Sequence, residues 1–272
     1  MTMRVVSRCG LPAIAISAAL MFATCPVSGA PALSGVWIET STSMDDARWR
    51  LEDFLCGTPG DCTVQGLQYA RDLLADPRND KRPLQSLFDQ VQSYDRSFIT
   101  GLLTTAARQF QSKYKLSSDP INRCVPSGLF RGPSPLPIKF EQYDDRIVLR
   151  YEFWNAVRTI YTDGRDHPAD LKPSKMGHSI GWYDGTTLVV ETVGIEPDVI
   201  GAVTVVGVIS SRRASAIERY ILSEDHSRLQ LELTVVDPLT LRRPLTFTRG
   251  FLAAGPDSFH VEEPCLKNER QR

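Results

Sequence analysis

Beyond residue 137, apolar and polar side chains alternate with a period of two, the signature of half-buried strands. Ile147, Leu149, Tyr151 and Phe153 alternate with Arg146, Val148, Arg150 and Glu152. Leu229, Leu231, Leu233 and Val235 alternate with Gln230, Glu232 and Thr234, and Leu245, Phe247 and Phe251 share one face of a further run. Tyr183-Asp184-Gly185-Thr186 stands between two such runs and reads as a type I′ hairpin. The pattern predicts strands over 34–40, 137–143, 146–153, 156–162, 177–183, 186–193, 214–222 and 228–236, with a ninth at 243–252. Short connections point to a meander, and an antiparallel sheet of this size removes its exposed edges most simply by closing. The expected fold is mainly β, an antiparallel up-and-down barrel of eight or nine strands. A flattened two-sheet sandwich is the alternative.

Between residues 44 and 115 the texture changes, which predicts a helical insertion after the first strand. Residues 62–74 carry helical spacing, and Pro83 sits where a first helical turn tolerates proline. Leu84, Leu87, Phe88, Val91, Tyr94, Phe98, Leu102 and Ala106 then recur at steps of three and four. This is one long amphipathic helix, or two meeting near Gly101, read as structural cover for the barrel in preference to a partner-binding helix. Residues 119–137 are rich in Pro and Gly and read as a wrapping loop.

The first 32 residues read as a targeting segment. Arg4 and Arg8 precede an apolar core from Leu11 to Thr24, and Ala30-Pro31-Ala32 fits a cleavage site before Leu33. A lipid-anchored reading through Cys25 fits less well, because Phe22-Ala23-Thr24 is a poor approach to a lipidated cysteine. The expected chain is a cleaved signal over 1–32 and a single barrel domain over 33–272, periplasmic or secreted. Leu188 to Ile209, the most apolar later stretch, is broken by Glu191, Glu196, Pro197 and Asp198, so no membrane-spanning segment is expected in the mature chain. Net charge is −1 with scattered cations, which argues against nucleic acid as a partner. Export gives the remaining cysteines, Cys56, Cys62, Cys124 and Cys265, an oxidising setting. Three pairings are open; Cys56 with Cys62 closes a short Gly/Pro loop, which leaves Cys124 with Cys265. The spacings do not suit zinc ligation.

Candidate chemistry comes from polar residues that fall on apolar faces. His178 shares a strand face with Ile180 and Trp182, and Glu191 lies between Val189 and Val193. Arg249 shares a face with Leu245, Phe247 and Phe251, and Arg158 alternates with Ala156 and Ile160. If these faces line the barrel, the charges must pair with one another or meet a ligand; a purely structural pairing of Arg158 or Arg249 with Glu191 is the plain alternative. The turn Asp163-Gly164-Arg165-Asp166-His167 would place Arg165 and His167 over the mouth. Gly177-His178-Ser179-Ile180-Gly181 matches a nucleophile-elbow pattern, but a strand and hairpin follow where that motif needs a helix. His167, His178 and Glu191 are able to converge, yet no zinc-type spacing supports a metal, and no phosphate loop or dinucleotide fingerprint suggests a cofactor.

Arg158-Thr159-Ile160-Tyr161-Thr162-Asp163-Gly164-Arg165, then His167-Pro168, then Gly177-His178-Ser179-Ile180-Gly181, resembles a large family of exported bacterial proteins. There a R-x-I-Y-x-D-G-R stretch precedes G-H-S-x-G-x-W-E-G-D-T-L-V-V-D-T. The match runs on through Gly185, Thr187, Leu188, Val189, Val190, Glu191 and Thr192, while Tyr183, Asp184 and Thr186 depart from the pattern. Cys124-Val125-Pro126 and Cys265 with Asn268 look like that family's two cysteine segments, and Leu33-Ser34-Gly35-Val36-Trp37 is similar to the first strand of lipocalin-like barrels. The resemblance covers 33–37 and about 119–272, not the helical stretch. It implies an exported lipocalin-like barrel and brings no reaction with it.

Three functions fit. The first is a cofactor-independent lyase or isomerase acting on a small, partly apolar molecule, with His178 as general acid or base. Glu191 or Asp163 would orient His178, and Arg158, Arg165 or Tyr161 would stabilise developing negative charge, with His167, Trp182 and Arg249 completing the binding surface. The second is a carrier that uses the same residues to hold a ligand. The third is a structural exported protein that works through its helical insertion.

Overall fold

A computed structural model describes residues 31–40, 42, 50–57, 62–131, 136–200 and 207–260. Residues 1–30 of the expected signal, and Cys265, lie outside the described residues. Nine strands close into one barrel in chain order, β1 pairing with β9. They are β1 (Gly35–Thr40), β2 (Ile138–Gln142), β3 (Arg146–Tyr151), β4 (Val157–Tyr161), β5 (His178–Asp184), β6 (Thr187–Val193), β7 (Ser215–Leu222), β8 (Arg228–Val236) and β9 (Leu245–Ala254). Eight of the neighbouring pairs are antiparallel; β4 and β5 run parallel, with Ile160 beside Ser179. The purely antiparallel expectation fails there because residues 162–177 form a crossover rather than a hairpin. That segment carries Pro168 and Pro173 and returns the chain so that β5 starts beside the end of β4. The β5–β6 hairpin also differs from expectation. Asp184 pairs with Thr187, so Gly185 and Thr186 form the turn, and Gly185 takes φ 61°. Glycine at the first of two turn positions is the type II′ pattern, not type I′.

Cross-strand partners share a face, so the register fixes the lumen. Leu149 lies opposite Arg158, Ser179 opposite Thr192, Val190 opposite Glu218, Tyr220 opposite Leu231 and Leu233 opposite Phe247. These inward positions are buried and most belong to one continuous apolar core with Trp37, Phe140 and Phe251.

The insertion contains α1 (Leu51–Leu55), α2 (Val64–Ala75), α3 (Leu84–Leu102) and α4 (Thr105–Gln111). Leu55, Leu67, Ala70, Leu87 and Val91 form a second, smaller core with the Cys56–Cys62 disulfide. Farther along α3, Ile99 and Leu102 join the barrel's core. Thr63 caps α2 and binds the buried Asp95 of α3 through its hydroxyl at 2.5 Å, tying the two helices together. Two helices do meet near Gly101: the first ends at Leu102, and Thr104 caps the next by accepting from the Ala107 N–H. Cys124 is disulfide-bonded, but its expected partner is outside the described residues. Among the described residues no helix is long and apolar enough to cross a membrane.

Candidate functional site

The barrel separates the sequence-derived candidates into two groups. Arg158 and Arg249 point into the lumen, while His178, Trp182 and Glu191 lie on the outer face of β5 and β6. The premise that all these groups look into one cavity is therefore overturned. On β5 both faces offer apolar side chains, and period alone does not choose between them. The choice is made by Ser179, Gly181 and Tyr183, which face inward. A Cβ at Gly181 would stand 2.8 Å from Cγ2 of Ile160, so the inner face has room for glycine there and for little else.

Inside, Arg158 is buried and all three of its nitrogens donate. Nε donates to Ser179 Oγ at 2.9 Å, Nη1 to Glu218 Oε1 at 2.9 Å and Nη2 to Thr192 Oγ1 at 2.7 Å. Nη2 also donates to Glu218 Oε2, completing a two-pronged ion pair. Tyr220 donates its hydroxyl proton to Glu218 Oε1 at 2.9 Å. Burial opposes the Arg158 charge, but Glu218 more than offsets this and holds the guanidinium well above its ordinary range. Burial and the Glu218 charge push the Tyr220 hydroxyl well up, so it remains a donor. Arg249 pairs with Glu39 at 3.1 Å. The partners are thus Glu218 and Glu39, not Glu191. Neither stood out in the sequence. Glu218 alternates with Ala216 and Tyr220 on a strand whose other face, Ile217 and Arg219, is equally mixed. A search for a countercharge to Arg158 would have pointed to it.

Outside, the crossover 162–177 brings Asp163, Arg165 and His167 against the barrel wall beside Tyr161, His178 and Glu191. His167 Nδ1 lies 2.7 Å from His178 Nδ1. The Tyr161 ring stacks on His178 at 5.3 Å between centroids, and the Arg165 guanidinium lies over the Tyr161 ring at 3.9 Å from its centroid. Arg165 grips Asp163 through Nε at 2.8 Å and Nη2 at 2.5 Å, holding that carboxyl down at about 2. Asp163 therefore orients Arg165, and the group that meets His178 is His167. Neither Arg165 nor His167 hangs over the barrel mouth, where Gln142, Ile147, Thr162 and Tyr183 line a hollow of about 340 Å³. Trp182, 46% exposed, is four residues along β5 from His178 and outside the cluster.

A contact between two Nδ1 atoms needs one N–H and one lone pair. His167 Nε2 is enclosed without a hydrogen-bond partner and has Glu191 Oε2 at 4.0 Å. That carboxylate favours the proton on Nε2 of His167. Its Nδ1 then accepts from His178 Nδ1–H, which leaves the lone pair of His178 on Nε2. Burial first, with smaller electrostatic contributions from the neighbouring His167 and Arg165, lowers the His178 pKa below the ordinary 6.5, so the ring is neutral at neutral pH. Among the described residues no group of three or more metal-ligating side chains assembles here or elsewhere. At 2.7 Å the imidazoles are in direct hydrogen-bonding contact, closer than two ligands around one zinc at ordinary bond lengths.

Gly177 sets where β5 begins. It takes φ 65°, and a Cβ there would stand 2.7 Å from the Val193 carbonyl and 2.7 Å from Thr192 Cγ2. Gly177→Ala is expected to destabilise the fold by about 1–3 kcal/mol and to displace His178. The checks are a lower Tm and altered ring-nitrogen shifts at His178; wild-type values for both would show that the strand start is tolerant. The glycine–serine–glycine run is thus structural. Ser179 is buried against Arg158 and Thr192, and a strand and hairpin follow it where a nucleophile elbow needs a helix.

No protein-family model matches the chain, and a search of curated proteins finds no match either.

Proposed function

We propose that the protein is a cofactor-independent enzyme of lyase or isomerase type, moving a proton on a small, partly apolar molecule. His178 Nε2 is the base. The reaction takes place on the outer wall of the barrel beneath the crossover, not in the lumen. The observation that carries this reading is the direct contact of His167 Nδ1 with His178 Nδ1, backed by Glu191. A carboxylate behind a first imidazole orients a second, as a carboxylate orients the catalytic ring in other acid–base sites. Arg165 holds Asp163 through Nε and Nη2, so Nη1 is left to meet negative charge that develops on the substrate. The Tyr161 ring supplies an apolar wall. A periplasmic or secreted setting belongs to the same proposal and is supported by the Cys56–Cys62 disulfide.

The hollow at the mouth favours a second reading, a carrier that takes its ligand at the lumen's end. One experiment separates the two. The protein is incubated in D2O with a small-molecule extract of the cells that make it, and the extract is followed by mass spectrometry. A proton-transfer enzyme introduces solvent deuterium into one compound or converts it, and His178→Gln does neither. Enrichment of an unchanged compound on the protein, with no deuterium incorporated, would point to the carrier and end the enzymatic proposal.

A further inference from the structure

The crossover from β4 to β5 is tied to the barrel by backbone at its two ends. The Thr162 N–H donates to the Asp145 carbonyl at 2.8 Å, and the Ser174 N–H donates to the Gly194 carbonyl at 3.0 Å. Of the twelve residues from Asp163 to Ser174, ten are exposed, and only His167 and Leu171 are half-buried. Those two side chains hold the middle of the segment down. Leu171 packs against Gly194 so closely that a Cβ on that glycine would overlap its Cδ2. His167 meets the barrel through its 2.7 Å contact with His178. Near the start of the segment Gly164 takes φ 82°, and nothing stands within 4 Å of a Cβ built there. Glycine turns the chain there at little steric cost, with open space around it. A segment with so little apolar burial belongs to the low-stability end of a fold.

The histidine contact depends on how many protons the two rings carry. With both neutral, His178 Nδ1–H donates and His167 Nδ1 accepts. A first proton, added at His178 Nε2, leaves that bond in place and makes it charge-assisted. A second proton must occupy the accepting Nδ1, so that two N–H groups face each other on two positive rings. The pair is faced by Tyr161 from β4, by Glu191 from β6, and by Asp163, Arg165 and Asp166 from the crossover itself. Arg165 adds a third cation, and Asp163 is already spent on Arg165. Glu191 lies 4.0 Å from His167 Nε2, on the side away from the contact. It and Asp166 soften the repulsion without restoring the bond. Like charges in one site separate successive proton uptakes, so the pair takes its second proton at lower pH than its first.

We propose that residues 163–173 form a lid over the outer wall of β4 and β5, hinged at Gly164, pivoting on Leu171, and latched by the His167–His178 hydrogen bond, which one proton keeps and a second breaks. The latch stands on the contact itself. That the lid covers a reaction site, and so governs access to His178 Nε2, rests on the proposed function.

The test is 15N relaxation on the full protein, read at the amides of residues 164–167, 169 and 170 while the ring nitrogens of both histidines are titrated. In the wild type these amides should match the adjoining strands at neutral pH, with order parameters of about 0.85. They should hold through the first protonation step and fall below about 0.6 at the second. His167→Ala should be loose at every pH. His178→Gln should stay ordered into acid, because the glutamine amide donates to a neutral His167 Nδ1 and its carbonyl accepts from a protonated one. Unchanged order in β4 and β5 shows that the barrel is intact. Tryptic cleavage after Arg165 follows the open population, and it should quicken about tenfold in His167→Ala at neutral pH. A crossover that is loose in the wild type at neutral pH, stays ordered in His167→Ala, loosens with the first proton, or loosens in acid in His178→Gln overturns the proposal. None of these readouts measures turnover. A failed lid therefore leaves His178 standing as a base, and a protein without proton transfer leaves the lid standing.

Discussion

Glu218→Ala is expected to remove about 3–5 kcal/mol of folding free energy, seen as a lower urea midpoint at an unchanged slope. The substitution leaves the Arg158 guanidinium in the lumen without its countercharge. Ser179 and Thr192 still accept from it, but neither carries negative charge. No water-exposed route relieves the guanidinium, because its side chain is 1% exposed and its neighbours are Leu149 and Tyr151 on one side and the apolar core on the other. Removing both charges should behave differently. Arg158→Met combined with Glu218→Leu deletes the desolvation penalty along with the attraction, and such replacements have been close to neutral or stabilising where volume is kept. The double variant should therefore recover most of the stability that Glu218→Ala loses. A loss below about 1 kcal/mol in the single variant is the behaviour of an exposed pair, and it would mean that water reaches the lumen.

This ion pair also shows why the sequence was readable in one respect and opaque in another. Strand positions were legible because inward residues such as Leu229, Leu231, Leu233 and Val235 alternate cleanly with polar ones. The barrel, the helical insertion and the Cys56–Cys62 pairing followed from such local signals. Facing was legible on β9, where Arg249 has Phe247 and Phe251 for company, and illegible on β5. There the inner residues are Ser179 and Gly181, chosen to receive Arg158 and Ile160, and they look more polar than the outer Ile180 and Trp182. A strand that accommodates a neighbour's bulky side chain inverts its own hydrophobic pattern. The parallel β4–β5 step was hidden for a related reason, since the crossover between them carries turn residues and no periodicity. Yet the same crossover gathers Tyr161, Asp163, Arg165, His167, His178 and Glu191. The residues singled out by chemistry meet one another even though the cavity expected to hold them does not.

His178→Gln is expected to slow proton transfer by about 10²–10⁴-fold at neutral pH. It should do so without lowering stability there, since the ring is part-buried and glutamine preserves a hydrogen bond to His167. Its pH dependence is the stronger test. Burial, with smaller contributions from the neighbouring His167 and the Arg165 cation, depresses the His178 pKa, so the wild-type rate should hold below pH 6.5 and fall as pH drops through that depressed value. The same shift bears on folding. Below 6.5 the unfolded chain takes up a proton that the folded ring refuses, so stability declines with falling pH until the folded ring is also charged. His178→Gln should abolish that part of the decline. Arg165→Gln removes the neighbouring cation and should move the acid limb of the rate profile upward, toward 6.5. Glu191→Gln should act through orientation, lowering the rate less than loss of the base does and changing the His167 ring-nitrogen shifts that report which nitrogen carries the proton. A histidine with no catalytic duty would show the stability and shift changes and leave the rate profile of Arg165→Gln where the wild type has it. The position of that acid limb therefore decides whether the imidazole pair is a working base or only a latch for the crossover.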